Sequence, residues 1–123
     1  MCLKVFSKEI IISGSNSEIK FWNIESGTCL RKLEGHSDWV TCIVKLSNEN
    51  IVSCSEDKTI KVWNVNTGEC LKTIEDSEKL LYLEKLSNDK IISHSKEGIS
   101  KLFDVETGKC LKTYNFKHAI EFI

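Results

Sequence analysis

The chain repeats itself. Shifted by 40 residues, segment 45–73 overlies 85–113 with 15 of 29 positions identical. The matches include Lys45-Leu46-Ser47-Asn48 over Lys85-Leu86-Ser87-Asn88, Ser53 and Ser55 over Ser93 and Ser95, and Cys70-Leu71-Lys72-Thr73 over Cys110-Leu111-Lys112-Thr113. An earlier copy follows once one residue is dropped near Ser17, and segment 19–34 then overlies 60–75 with 8 of 16 identical. Three copies fill the 123 residues as a single domain, with expected limits at about 1–34, 35–75 and 76–115. Residues 116–123 then begin a further inner strand, 119–123 matching 79–83. A period of this length marks units that bury their apolar surface by stacking on neighbours.

Each copy reads as four short strands. Apolar and β-branched runs of four to seven residues alternate with clusters of Gly, Asn, Asp and Ser. In the central copy the expected strands are 40–46, 51–55, 60–64 and 70–74. Ile60-Lys61-Val62-Trp63 has the period of two that burial on one side demands, and no segment holds a helical period over three turns. Helices are not expected. Gly27, Gly68 and Gly108 fall where a tight hairpin needs positive φ, and the Ser47-Asn48-Glu49-Asn50 and Ser87-Asn88-Asp89-Lys90 clusters supply side chains that bond their own backbone.

Four strands every 40 to 45 residues is the pattern of a β-propeller blade. The segment Gly35-His36, followed by Ser53-Cys54-Ser55-Glu56-Asp57-Lys58-Thr59-Ile60-Lys61-Val62-Trp63-Asn64, resembles the WD-repeat family over nearly the whole motif. The outer-strand starts Gly27-Thr28-Cys29-Leu30, Gly68-Glu69-Cys70-Leu71 and Gly108-Lys109-Cys110-Leu111 strengthen the likeness. The resemblance implies an all-β fold of WD-repeat β-propeller blades, three four-stranded antiparallel sheets. It also implies a structural tetrad in the central copy, His36, Ser53, Asp57 and Trp63, in which groups costly to bury singly satisfy one another. A Ser-His-Asp catalytic triad is the competing reading of the same residue types.

The other copies depart from this pattern. The first has Ser13 and Trp22, with Asn16 at the Asp slot and no His. The third has Ser93, with Glu97 at the Asp slot, Phe103 at the Trp slot and Ser77 placed at the His slot. The Trp-Asp dipeptide is replaced by Trp22-Asn23, Trp63-Asn64 and Phe103-Asp104.

Six cysteines raise the question of a disulfide framework or a metal site, but no two have C-x-x-C spacing. Cys29, Cys70 and Cys110 recur at one outer-strand position, Cys2 and Cys42 at one inner-strand position, and Cys54 takes the slot of Gly14. Reduced thiols acting as buried small hydrophobes are expected, with neither metal nor cofactor. His94 occupies the slot of Cys54 and is expected to be packed or half-exposed.

Seventeen basic residues against 18 acidic ones leave a net charge of −1, so nucleic acid is not an expected partner. The longest aliphatic run, 10–12, is far too short to cross a membrane, and residues 1–6 have no room for a signal-peptide core. The expected location is the cytosol or nucleus.

Propellers close with four to eight blades, so three leave two faces open. Two solutions remain: a fragment of a longer WD-repeat protein, which the surplus strand at 119–123 favours, or self-association of several chains into one ring. The family resemblance implies a non-catalytic scaffold that binds peptides or protein subunits through loop faces. Trp39 is the expected anchor, rimmed by Asp38, Glu56 and Lys79, with packing over the next blade as its alternative role. The alternatives are a non-functional or truncated fragment and an enzyme. The enzyme lacks a glycine-rich phosphate loop, an H-E-x-x-H pattern and a close carboxylate pair in this chain.

Overall fold

The computed structural model describes residues 1–47 and 49–116. Asn48 and the expected strand at 119–123 lie outside the described residues. Among the described residues there are eleven strands and no helix: β1 (Cys2–Val5), β2 (Ile10–Gly14), β3 (Asn16–Asn23), β4 (Cys29–Lys45), β5 (Ile51–Ser55), β6 (Thr59–Trp63), β7 (Cys70–Glu75), β8 (Leu80–Lys85), β9 (Lys90–Ser95), β10 (Ile99–Asp104) and β11 (Cys110–Asn115). Every pairing is antiparallel between sequence neighbours.

The strands form one seven-stranded sheet, β1 to β7, and one four-stranded sheet, β8 to β11, rather than three sheets of four. The difference lies in β4. Its first half pairs with β3, at Ile19↔Leu33, and its second half pairs with β5, at Ile43↔Ser53. The residue missing near Ser17 shortens the β2–β3 turn, so Asn16 joins β3 and pairs with Trp39. Val40 N–H also donates to Ser15 O at 2.9 Å, which holds 35–39 extended. Between β7 and β8 Asp76 N–H donates to Lys58 O at 2.8 Å, and the Asp76 side chain then turns the chain by accepting Glu78 N–H at 3.1 Å.

The hairpins use the expected chemistry. Gly27, Gly68 and Gly108 have φ of 71°, 78° and 76°, and each donates its N–H to the residue four before it, Asn23, Asn64 or Asp104. The same three residues accept N–H groups two or three positions ahead on Oδ1, at 2.9 to 3.1 Å. Only an acceptor oxygen is needed there, which is why Asn serves as well as Asp.

Two apolar clusters lie between successive units. Ile12, Ile19, Phe21 and Leu33 pack on Ile43, Ile51 and Trp63, and Val52, Cys54, Ile60, Val62 and Ile74 pack on Leu83, Ile91 and Phe103. Each unit therefore has a first face and a second face, and the second face of one buries the first face of the next. Full burial of side chains this size contributes about 1.5–3 kcal/mol each. Gly14 is forced by close approach, since a Cβ there would lie 2.6 Å from Cys2 Sγ and 2.8 Å from Val40 Cγ1.

Among the described residues two faces are left over. On the first unit, Leu3, Ile11 and Trp22 line an open groove of about 490 Å³. On the third, His94 and Ser100 stand at the places of Cys54 and Ile60, with His94 Nδ1 bonded to Ser100 Oγ at 2.8 Å. His94 is half-buried.

The cysteines correct one expectation. Cys54 is buried and Cys2 and Cys42 are half-buried, but Cys29, Cys70 and Cys110 are exposed. Those three begin the outermost strand of each unit, beyond the stacked faces, and each turns its thiol toward the carbonyl two residues on, at 3.4 to 3.6 Å.

Candidate functional site

The middle unit brings His36, Ser53, Asp57 and Trp63 together. His36 sits in the extended stretch of β4, Ser53 at the centre of β5, Asp57 in the β5–β6 turn and Trp63 at the end of β6. Trp63 Nε1–H donates to Ser53 Oγ at 2.9 Å, Ser53 Oγ meets His36 Nε2 at 2.7 Å, and His36 Nδ1 meets Asp57 Oδ2 at 2.9 Å. The Asp57 carboxylate also accepts Ser37 N–H at 3.0 Å, Thr59 N–H at 2.9 Å and Thr59 Oγ–H at 2.6 Å. Thr59 was not singled out from the sequence, although its position two after Asp57 suits an Asx turn.

One proton arrangement satisfies every group: Trp63 N–H to Ser53, Ser53 O–H to His36 Nε2, and His36 Nδ1–H to Asp57. It requires a neutral imidazole and an ionised carboxylate. The electrostatics agree. Burial lowers the His36 pKa and outweighs the pull of Asp57. Burial alone would raise that of Asp57, but hydrogen bonds from Thr59, Ser37 and His36 prevail and lower it. Ser53 is fully buried and its oxygen is already engaged by Trp63, so no acyl group can approach it in this arrangement.

The flanking units carry reduced versions. In the first, Trp22 Nε1–H donates to Ser13 Oγ at 2.8 Å, while Asn16 is drawn into the strand pairing with Trp39. In the third, Phe103 is buried but has no N–H to offer, and Glu97 is exposed. Ser77 does not hold the His slot. It is exposed, whereas Asp76 lies 40 residues after His36 with its side chain 2% exposed. The register decides the matter, because Glu56 N–H donates to Trp39 O and Lys96 N–H to Lys79 O, so that Trp39 and Lys79, also 40 apart, are equivalent.

At one end of the stack Trp39 is 44% exposed and lines a depression of about 340 Å³ with Met1, Thr41, Glu56 and Leu81. Glu56 is ion-paired with Lys96 at 3.3 Å, and Lys96 is tied through its backbone to Lys79. Asp38 accepts Trp39 N–H at 2.7 Å and, like Lys79, does not line the depression. Lys96, Met1 and Leu81 were not singled out from the sequence; only Lys96 had a signal, its place 40 residues after Glu56.

Comparison with known proteins bears on this geometry. The sequence pattern described as WD domain, G-beta repeat matches residues 27–64, the stretch that holds all four bonded side chains. The chain carries a WD repeat at residues 27–64. Its fold is similar to the WD40 beta propeller domain of Doa1, with a TM-score of 0.78 and 30% identity over 92% of this chain and 38% of that one. It is also similar to the computationally designed Ika8 protein, with a TM-score of 0.79 and 32% identity over 92% of this chain and 35% of that one. The WD-repeat chain thus spans little more than a third of the length of these two structures. No curated protein matches it. Among the described residues no helix is long and apolar enough to cross a membrane, and no group of three or more His, Cys, Asp or Glu side chains could hold a metal ion.

Proposed function

We propose that this WD-repeat chain is a non-catalytic scaffold that binds a peptide segment or protein subunit at the end marked by Trp39. WD-repeat propellers generally act as protein-interaction platforms, which sets the class. The observation that carries the reading is a large aromatic side chain left 44% exposed beside a depression with a charged rim, Glu56 and Lys96. Truncating a central aromatic anchor typically costs about 2 kcal/mol or more of binding free energy. In this reading His36, Ser53, Asp57 and Trp63 hold the middle unit together and do no chemistry, and the unit limits stand near 1–34, 35–75 and 76–115.

The test compares proteins captured by the wild-type chain and by Trp39→Ala, each checked by thermal melting. The variant is expected to melt as the wild type does and to lose a reproducible set of captured proteins. An unchanged set at an unchanged melting temperature removes the reading. A lowered melting temperature assigns Trp39 to packing instead.

A further inference from the structure

Among the described residues, the two buried side-chain oxygens without a hydrogen-bond partner are Asp76 Oδ2 and Ser93 Oγ. Both belong to the third unit, and they stand 40 residues after His36 and Ser53, which in the middle unit are bonded to each other at 2.7 Å. Their shared face follows from Lys101. It lies directly opposite Ser93 on the neighbouring strand, and its ammonium reaches Asp76 Oδ1 at 3.0 Å. The two orphans therefore flank one lysine side chain, at the positions that the middle unit joins by a hydrogen bond.

The missing bond has a simple cause. A carboxylate oxygen ends one bond nearer the backbone than an imidazole Nε2, and Phe103 is smaller than the indole of Trp63 and brings no N–H. Both replacements remove atoms beside Ser93, whereas the polar ends that must be satisfied remain. Leaving two such oxygens bare would cost about 1–3 kcal/mol each.

We propose that the third unit binds one buried water molecule that bridges Asp76 Oδ2 and Ser93 Oγ, in the place where the middle unit uses the His36 ring. The surrounding chemistry selects this ligand. The Lys101 ammonium repels a cation, the Asp76 carboxylate repels an anion, and the bridge requires a donor and an acceptor on one small neutral molecule. A buried water is held by two to four polar partners. It donates to Asp76 Oδ2 and exchanges a bond with Ser93 Oγ. The Lys101 ammonium has further N–H groups to offer a third.

A crystal structure of the intact chain, at a resolution that orders internal waters, tests the assignment together with one of Asp76→His. The wild type is expected to show a single peak at hydrogen-bonding distance, about 2.5–3.0 Å, from both oxygens. In Asp76→His the peak is expected to vanish as the imidazole reaches Ser93 directly. Water-to-amide magnetisation transfer near Ser93 provides the solution readout, present in the wild type and lost in the variant. The proposal is overturned if the two wild-type oxygens bond each other, if both turn to solvent, or if the peak persists unmoved in Asp76→His. Should the variant fail to fold, the wild-type map decides alone.

Discussion

Removing the same hydroxyl from two equivalent serines should have very different consequences. Ser53 Oγ accepts the Trp63 indole N–H at 2.9 Å and meets His36 Nε2 at 2.7 Å, in a place with no access to solvent. Ser53→Ala strands both groups, at about 1–3 kcal/mol each, and the burial of one fewer hydroxyl returns only part of that. A net loss of about 3 kcal/mol follows. Ser93 has neither an indole nor an imidazole beside it, and a bridging water released from it keeps its other partners. Ser93→Ala should therefore cost about 1 kcal/mol or less. For a chain of this size each kcal/mol moves the melting temperature by roughly 4 °C, so the expected shifts are about 12 °C and under 4 °C. Urea titrations extrapolated to water give the free energies directly. Equal losses at the two positions would refute the reasoning, because burial and residue type are the same and only the partners differ.

Two further outcomes follow from the titrating groups. Acidification should weaken the fold in two stages. His36 is held neutral with a lowered pKa, so unfolding takes up a proton and stability falls once pH drops below the unfolded value of 6.5; the depressed Asp57 adds a second loss as pH falls below its unfolded value of 3.8 and through its folded one. Urea midpoints from pH 7.5 to 5 should decline less steeply in His36→Gln than in the wild type, and parallel slopes would contradict the assignment. Thiol labelling should divide the cysteines: Cys29, Cys70 and Cys110 react promptly in the native chain, whereas Cys54, whose pKa burial pushes from 9.0 up to about 12, reacts only on unfolding. Mass spectrometry that finds Cys54 modified along with the exposed three would contradict the packing.

The strands were legible because their signals are local. Alternation in 60–63 and the recurrent Gly68 and Gly108 turns state the hairpins within a few residues of themselves. The tetrad was legible through family likeness, which carries its long-range pairing in the motif. What was missed depends on distant partners. The fusion of two sheets follows from one absent residue near Ser17, whose effect is felt at Trp39, more than 20 positions away. Asp76 is hidden because its place 40 residues after His36 falls in a loop without strand pattern, and an acid does not resemble a histidine. The exposed cysteines share a residue type with core positions, but the outermost strand has no neighbour to cover it.

The two faces left uncovered among the described residues differ in one respect. On the first unit Leu3, Ile11 and Trp22 line a groove, whereas on the third the His94–Ser100 pair sits beside Ile92 and Leu102 on the same face. Inside the chain Cys54 and Ile60 occupy the places of that pair, and the contact there is apolar throughout. A surface that covers the third unit would bury the imidazole and would therefore have to bring it a polar partner.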